Sequence, residues 1–156
     1  MTDLYLIVKY LHVLGAIVLL GTGAGIAFFM AMAHRTANPA VVAHTAGVVV
    51  IADFVFTATA VVAQPITGIV LMSMSGLSLG TTWISGSIGL YLLTGCFWLP
   101  VVWLQMRMRD LAQAAARQGA PLPDLYHRYY RLWFACGFPA FAAVLGIVWL
   151  MVAKVG

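Results

Sequence analysis

Charged side chains are scarce in this chain. Its 156 residues include eight lysines and arginines and four aspartates and glutamates, which is 8% of the sequence. A soluble domain usually carries about a quarter charged residues, because it needs a polar surface to cover its core. The scarcity of charge excludes an ordinary soluble domain and predicts that lipid is the natural solvent of this chain.

Cysteines and familiar catalytic motifs are also scarce. Cys96 and Cys136 are the only cysteines, and both lie within apolar segments without a CxxC pair. This excludes a disulfide framework. The sequence also contains no HExxH, nucleophile elbow or phosphate loop. Its basic residues form no surface interleaved with aromatics, so nucleic acid is excluded as a partner. Whether the protein is an enzyme is left open by the sequence.

Long apolar segments are what the sequence does contain. A membrane helix needs about 20 predominantly apolar residues. Segments that meet this requirement occupy about residues 4–33, 39–74, 82–117 and 124–154. Asn38 before Pro39 and Asp124 are the predicted start signals of the second and fourth helices. We therefore predict an all-α fold, a four-helix transmembrane bundle that forms a single membrane domain over residues 1–156, with the lipid bilayer as its immediate partner.

The distribution of positive charge predicts the orientation of this bundle. Arg35 lies in the first loop, the second loop has no lysine or arginine, and five arginines lie in or beside the third loop: Arg107, Arg109, Arg117, Arg128 and Arg131. The first and third loops are therefore expected on the cytoplasmic side. Both termini are expected on the non-cytoplasmic side of the inner (plasma) membrane, and tyrosines near the inner helix ends, including Tyr126, are expected in an interfacial belt.

Small residues are the expected points of contact between the helices. Membrane helices associate where glycine and similar residues let backbones approach closely. The first helix contains a GxxxG motif at Gly21 and Gly25, and the later helices contain Gly95, Gly137 and Gly146. These residues predict a closely packed bundle. The alternative is that some of these faces bind a second copy, giving a homodimer, or a membrane partner subunit.

His12 is the first polar residue that indicates chemistry. It lies three residues after Lys9, so both side chains share one face of the first helix. A neutral imidazole at this depth can bind haem iron or another metal, or relay protons. The alternative is a histidine that is hydrogen-bonded to a neighbouring helix, with Lys9 extending towards the membrane surface.

The segment Gln64-Pro65-Ile66-Thr67-Gly68 is the second such feature. Pro65 has no N–H, so it frees a backbone carbonyl one turn earlier in the second helix. Gln64 and Thr67 are predicted to line a cofactor pocket against His12. The alternative is a simple proline kink that is satisfied by helix packing.

Asp53 and three histidines complete the set of candidates. Asp53 lies deep in the second helix with no basic partner at its depth, so it is a candidate for proton transfer or ion binding. The alternative is a neutral acid bonded to a hydroxyl such as that of Thr22 or Thr57, because desolvation disfavours the charged form. His34, His44 and His127 lie near the cytoplasmic boundary, where they form either a metal site or separate interfacial histidines.

Two motifs resemble a known family. The run from Val8 to Ala16, which reads VKYLHVLGA, is followed by Gly21 and later by the Gln64–Gly68 motif. Together they resemble the predicted integral membrane proteins of the DUF2269 family over all four helices. The opening helix is also similar to a wider group that includes CopD-type copper-resistance domains and HemJ-type protoporphyrinogen oxidases, which are four-helix membrane proteins associated with haem b.

The resemblance to the HemJ type implies haem b as a candidate cofactor. It implies an axial iron ligand at His12 and, more weakly, a role for His34, which lies where that type carries a second histidine. The chain lacks the tryptophan after the first histidine and the Pro-Arg pair near the end of the first helix. Protoporphyrinogen oxidation is therefore not implied.

Two hypotheses of function follow from the sequence. The first is a haem b-binding redox or electron-transfer protein of the inner membrane, in which His12 binds the iron, Lys9 contacts a propionate, and Gln64 and Thr67 supply polar groups. The second is a cofactor-free small transporter, a proton or metal-ion pathway, or an accessory membrane subunit. In the second hypothesis Asp53 and the histidines carry ions or stabilise packing.

Overall fold

The computed structural model describes residues 2–154 and is built from long helices. They are α1 (Thr2–Arg35), α2 (Pro39–Met74), α3 (Thr82–Gln118) and α4 (Asp124–Ala153). All four are long and apolar enough to cross a membrane, and the described range contains no strand. The predicted all-α transmembrane fold is confirmed, and the observed helix ends differ from the predicted ones by at most two residues.

The two predicted helix starts differ in detail. Asn38 caps α2, because its side-chain oxygen accepts hydrogen bonds from the backbone N–H groups of Ala40 at 2.9 Å and Val41 at 3.4 Å. The prediction that Asp124 caps α4 was wrong. Pro123 occupies the cap position without a side-chain bond, and Asp124 is the first helical residue. There its negative charge still complements the positive end of the helix dipole.

Consecutive helices run in opposite directions. His12 of α1 meets Thr67 of α2, Asp53 of α2 meets Trp98 of α3, and Gly86 of α3 approaches Leu150 of α4. The start of α1 and the end of α4 therefore lie at one end of the bundle, which we call the terminal end. The other end carries the six arginines, and we call it the arginine end. That the arginine end faces the cytoplasm stays a prediction.

The hydrophobic core fills the half of the bundle near the arginine end. Tyr126, Met30 and Met108 have no exposed surface there. The ring of Tyr126 thus lies inside the core, and its predicted place at the depth of the membrane interface stays a prediction. The whole cluster draws on every helix and on the third loop: Ile26, Met30, Ala33, Val42, Ala43, Ala46, Val49, Leu104, Met108, Ala112, Leu122, Tyr126 and Trp133.

The bundle is more open towards the terminal end. Helices α3 and α4 pack together most extensively, and the first half of α2 packs on both α1 and α3. The second half of α2 packs mainly on α1, whereas α1 and α4 touch only sparsely. The change occurs at a π-helical turn, Asp53–Thr57, within α2. The helix pairs α1–α2 and α3–α4 consequently leave a space between them in this half.

Glycines contribute to packing at some of the predicted places. A Cβ on Gly15 would collide with the Gln64 amide, and a Cβ on Gly146 would lie 3.0 Å from Leu90, so α1–α2 and α3–α4 approach closely there. A Cβ on Gly21 or Gly25 would meet nothing within 4 Å. The GxxxG motif therefore does not pack against another described helix of its own chain. A homodimer or a partner subunit at this motif stays a prediction.

Candidate intramembrane ligand site

An elongated cavity of about 350 Å³ lies between the helices in the terminal half. It extends from Ala16 to Ala27 on α1 and from Trp133 to Val148 on α4, which is about 16 and 22 Å along the helix axes at 1.5 Å per residue. Most of its lining is apolar, and its size lies in the range of small-molecule sites, roughly 300–1,000 Å³.

The cavity opens sideways through the surface that faces lipid. Three phenylalanines of α4 line it and are also exposed on the outside of the bundle: Phe134, Phe138 and Phe141. Phe138 has 65% of its surface exposed, so the cavity wall at this point is also the outer surface. The cavity therefore reaches the outer apolar surface of the bundle beside these phenylalanines.

Glycines on three helices create the space. Gly23 of α1, Gly95 of α3 and Gly137 of α4 line the cavity, and a Cβ added to any of them would meet no atom within 4 Å. The prediction that Gly95 and Gly137 bring helices into close contact was therefore wrong. Their missing side chains instead leave room for a molecule between the helices.

A polar cluster closes the deep end of the cavity. Asp53 and Gln105 are buried, with 3% and 2% of their surfaces exposed. The indole N–H of Trp98 donates to Asp53 Oδ1 at 3.3 Å. The Gln105 amide lies between Asp53 Oδ2, at 3.1 Å, and the Trp133 indole nitrogen, at 3.2 Å. Because an indole N–H can only donate, the amide oxygen is assigned to the Trp133 side, and the amide nitrogen then donates to Asp53 Oδ2. Both carboxyl oxygens of Asp53 are thus faced by N–H donors.

No cation accompanies this acid among residues 2–154. The ion pair of the described chain joins Arg109 to Asp110, both partly exposed at the arginine end. Arg107 follows Gln105 closely in sequence, but it is exposed and its guanidinium lies 5.6 Å from the centre of the Trp103 ring.

Thr57 adds an unsatisfied hydroxyl beside Asp53. In the π-helical turn, the N–H of Ala58 bonds the Asp53 carbonyl five residues earlier, a pattern that often marks functional sites. The Thr57 side chain lines the cavity with 7% of its surface exposed. Its hydroxyl lies beside the Asp53 carboxyl group, but no partner is placed in good hydrogen-bonding geometry. Buried polar groups are nearly always bonded, so this hydroxyl is available to a ligand.

Pro65 has the predicted effect on the backbone of α2. Because Pro65 lacks an N–H, the Val61 carbonyl one turn earlier has no helical partner. The hydroxyl of Tyr91 on α3 donates to this carbonyl, and Tyr91 and Val61 both line the cavity. The freed carbonyl is thus satisfied across the cavity, and it fixes the position of the Tyr91 ring.

The structure brings together three residues that the sequence singled out. His12 Nδ1 lies 2.8 Å from the Thr67 hydroxyl, and the Gln64 amide donates to the His12 carbonyl at 2.7 Å. The Thr67 hydroxyl also lies 2.8 Å from the Ala63 carbonyl, which can only accept. When the hydroxyl donates to Ala63, His12 Nδ1 carries the proton and donates to Thr67. His12 Nε2 then presents a free lone pair.

His12 lies just outside the cavity lining. Gln64 lines the cavity, as does Ala16, which is one helical turn after His12 on α1. Lys9 does not join this cluster, because it is exposed and its ammonium lies 5.7 Å from the centre of the Tyr5 ring.

His34 lies at the opposite end of α1. It is 22 residues after His12 on one continuous helix, or about 33 Å along the axis. Its Nδ1 lies 3.3 Å from the Tyr126 hydroxyl, and its ring stacks on Tyr130 with 3.7 Å between centres. His12 and His34 therefore cannot bind the same iron.

The histidines of the arginine end do not form a three-histidine site. The His127 ring is centred 5.6 Å from that of His34, but His44 is exposed and joins neither. Across the described residues no group of three or more histidine, cysteine, aspartate or glutamate side chains is placed to hold a metal ion.

Several residues of the cavity were missed by the sequence analysis. Gln105 is an amide in an apolar helix, the same signal that singled out Gln64, and could have been found in the same way. Trp98 and Trp133 gave no such signal, because tryptophan is common in membrane helices for interfacial reasons.

Comparisons with known proteins identify the family. No curated protein and no solved structure matches this chain. The family model described as "Predicted integral membrane protein (DUF2269)" matches residues 6–155, which is almost the whole chain. The chain therefore belongs to the DUF2269 family of predicted integral membrane proteins.

Proposed function

We propose that this protein binds a lipophilic small molecule from the bilayer in the cavity between its helices, as a small transporter or accessory membrane subunit. The observation that carries the proposal is the cavity itself, which opens to lipid beside the α4 phenylalanines and ends at the buried Thr57 hydroxyl. The space left by Gly23, Gly95 and Gly137 supports the same proposal. An ordinary packing defect has no reason to be bounded by glycines of three helices.

The polar end of the cavity provides selectivity. A molecule that moves from lipid into an apolar cavity gains little from the hydrophobic effect, because lipid tails are equally apolar. Its affinity must come from close packing and from polar contacts, each of which is worth about 1–2 kcal/mol or less inside a membrane. Thr57 and the Asp53 cluster are the groups at the deep end that can make such contacts.

Photolabelling with azioctanol, a neutral lipophilic alcohol, tests this proposal. The purified protein in lipid nanodiscs is labelled, and the modified residues are mapped by mass spectrometry. Labelling of cavity residues that unlabelled octanol reduces is the expected result. Gly137→Phe should abolish it by filling the cavity, whereas Gly89→Phe should not, because Gly89 is exposed and outside the cavity. Labels confined to lipid-facing residues such as Leu92, or retained in Gly137→Phe, would overturn the proposal.

A second candidate function is haem b binding at His12, which we propose on the hydrogen bond between His12 Nδ1 and Thr67. Iron-binding histidines usually donate their other ring N–H to a nearby acceptor, which fixes the tautomer and the ring orientation. His12 would hold the iron, Thr67 would orient His12, Gln64 would hold its backbone, and Lys9 at the surface would pair with a propionate. When bound, haem supplies one-electron redox chemistry.

A reduced-minus-oxidised visible spectrum tests the haem proposal. The protein is purified in detergent from cells that are supplied with ample haem. A Soret band with sharp α and β bands that disappear in His12→Ala is expected. A featureless spectrum, or bands unchanged in His12→Ala, would overturn it.

A further inference from the structure

We infer that the ligand of the cavity is a lipophilic organic cation whose positive charge pairs with the Asp53 carboxylate. The inference rests on the proposed function, because it names the chemical class of the molecule that the cavity binds. It is carried by the hydrogen bonds around Asp53, by the absence of a protein cation in the described surroundings, and by the aromatic lining.

The hydrogen bonds around Asp53 are arranged for the charged form of the acid. An indole N–H can only donate, so Trp133 directs the oxygen of the Gln105 amide towards itself. The amide nitrogen of Gln105 consequently points at Asp53 Oδ2, and the Trp98 N–H points at Oδ1. Two N–H donors thus face the two oxygens, and such hydrogen bonds favour the charged form of the acid.

A carboxylate in this position lacks a positive partner within the described chain. Burying an unpaired charge carries a large free-energy cost, and the side-chain donors offset only part of it. The nearest cation in sequence, Arg107, is exposed and lies over Trp103. A ligand that enters the cavity with a positive charge supplies the missing partner. Fatty acids and quinones present oxygen acceptors, which the Asp53 oxygens would repel.

The lining favours an organic cation over a metal ion. Metal cations of the calcium and magnesium type require about six oxygen ligands, whereas this end of the cavity offers Asp53 and Thr57. The remaining surroundings include the aromatic rings of Trp98, Trp133, Phe134 and Tyr91. Aromatic faces attract organic cations, most strongly where water is excluded. The glycine-bounded space above the cluster accommodates the apolar body of such a molecule.

Equilibrium dialysis with radiolabelled methyltriphenylphosphonium tests the inference on the full chain in detergent. Saturable binding of one cation per chain is expected. Asp53→Asn should weaken it by about thirtyfold or more, as the loss of a buried charge partner does. The matched control is Asp110→Asn, which removes an exposed acid that is paired with Arg109 at the arginine end and should leave binding unchanged. The uncharged triphenylethane, of nearly the same shape, should compete at least about tenfold more weakly than the unlabelled cation.

The possible outcomes separate the inference from the proposed function. In one outcome, azioctanol labels the cavity of Asp53→Asn, and this variant binds the cation with the same affinity as the native protein does. The inference then fails, and the proposed function stands. If neither probe enters the cavity of the native protein, both fail. If Asp53→Asn does not fold, the competition experiment on the native protein tests the inference instead. Equal competition by triphenylethane and by the unlabelled cation would overturn it.

Discussion

The Trp133 indole sets the orientation of the Gln105 side chain. Trp133 Nε1 lies 3.2 Å from the Gln105 amide oxygen, and the amide nitrogen is thereby held 3.1 Å from Asp53 Oδ2. The two residues lie on neighbouring helices, α4 and α3, and both are almost fully buried. A single donor on α4 thus determines what Asp53 on α2 meets at the deep end of the cavity.

Trp133→Phe tests this relationship. The phenylalanine keeps most of the buried ring but removes the N–H that orients Gln105. Because one hydrogen bond is typically worth about 0.5–1.5 kcal/mol, we expect binding of methyltriphenylphosphonium to weaken by roughly two- to tenfold. Trp149→Phe is the control, since Trp149 is exposed on α4. Equal binding by the two variants in equilibrium dialysis would show that Trp133 does not orient the cluster.

Thr57→Val tests whether the unliganded protein needs the Thr57 hydroxyl for its stability. The Thr57 hydroxyl is buried beside Asp53 without a hydrogen bond of good geometry, so its removal costs the unliganded protein little. We expect the thermal midpoint in detergent to stay the same or rise, because burying an unpaired polar group is unfavourable. Thr59→Val is the control, since its exposed hydroxyl bonds the Val55 carbonyl of its own helix. A marked fall in the midpoint for Thr57→Val alone would contradict the assignment of an unpartnered hydroxyl.

Glycine substitutions should have opposite effects at two kinds of position. Gly137→Ala adds a methyl group to open cavity space, and alanine favours a helix over glycine by about 1 kcal/mol, so stability should rise. Gly15→Ala should lower stability, because the new Cβ collides with the Gln64 amide that bonds the His12 carbonyl. Thermal unfolding in one detergent measures both. A destabilised Gly137→Ala would show that the space is not available.

Thr67→Val tests the tautomer of His12. The substitution removes the oxygen that lies 2.8 Å from Nδ1, while Nε2, the nitrogen that would bind iron, stays in place. If His12 binds haem, affinity should fall by about ten- to a hundredfold, as the loss of such a supporting partner does. Haem titration followed by the Soret band gives the affinity. Thr59→Val is again the control, and equal affinities in the two variants would exclude a role for Thr67.

The orientation of the bundle can be measured with introduced cysteines. Ser78→Cys lies in the loop at the terminal end, and Gln118→Cys lies at the arginine end. We expect a membrane-impermeant maleimide to label the first variant in intact cells and the second only after the cells are opened. The parent protein controls for Cys96 and Cys136. The reverse pattern would place the arginine end outside the cell.

The sequence predicts the helices well, because their apolar runs are long and their boundaries carry Asn38, Pro39 and Gly119. It also indicates the pairing of His12 with Gln64 and Thr67, since polar residues at similar depth on consecutive antiparallel helices must meet. The cavity could not be predicted in this way. Whether Gly95 and Gly137 bring helices together or leave a space depends on what lies opposite each of them, and the order of residues along one helix does not specify it.

The polar cluster shows the same limit. Asp53 stands out in an apolar helix, but its N–H donors, Trp98 and Gln105, come from α3 at sequence separations of 45 residues or more. The sequence favoured Thr22 or Thr57 as partners, since both are hydroxyls near its depth. The structure places Thr57 beside Asp53, as the sequence suggested, and adds Trp98 and Gln105 of α3, the latter held in turn by Trp133.

The most direct test of the account is the position of the azioctanol label in the native protein and in Gly137→Phe. We expect labelled residues on the cavity walls in the native protein and in Gly89→Phe, and their loss in Gly137→Phe, where phenylalanine fills the cavity. Labelling that is restricted to the outer surface, or that is the same in all three proteins, would contradict the claim that this cavity binds a molecule from the membrane.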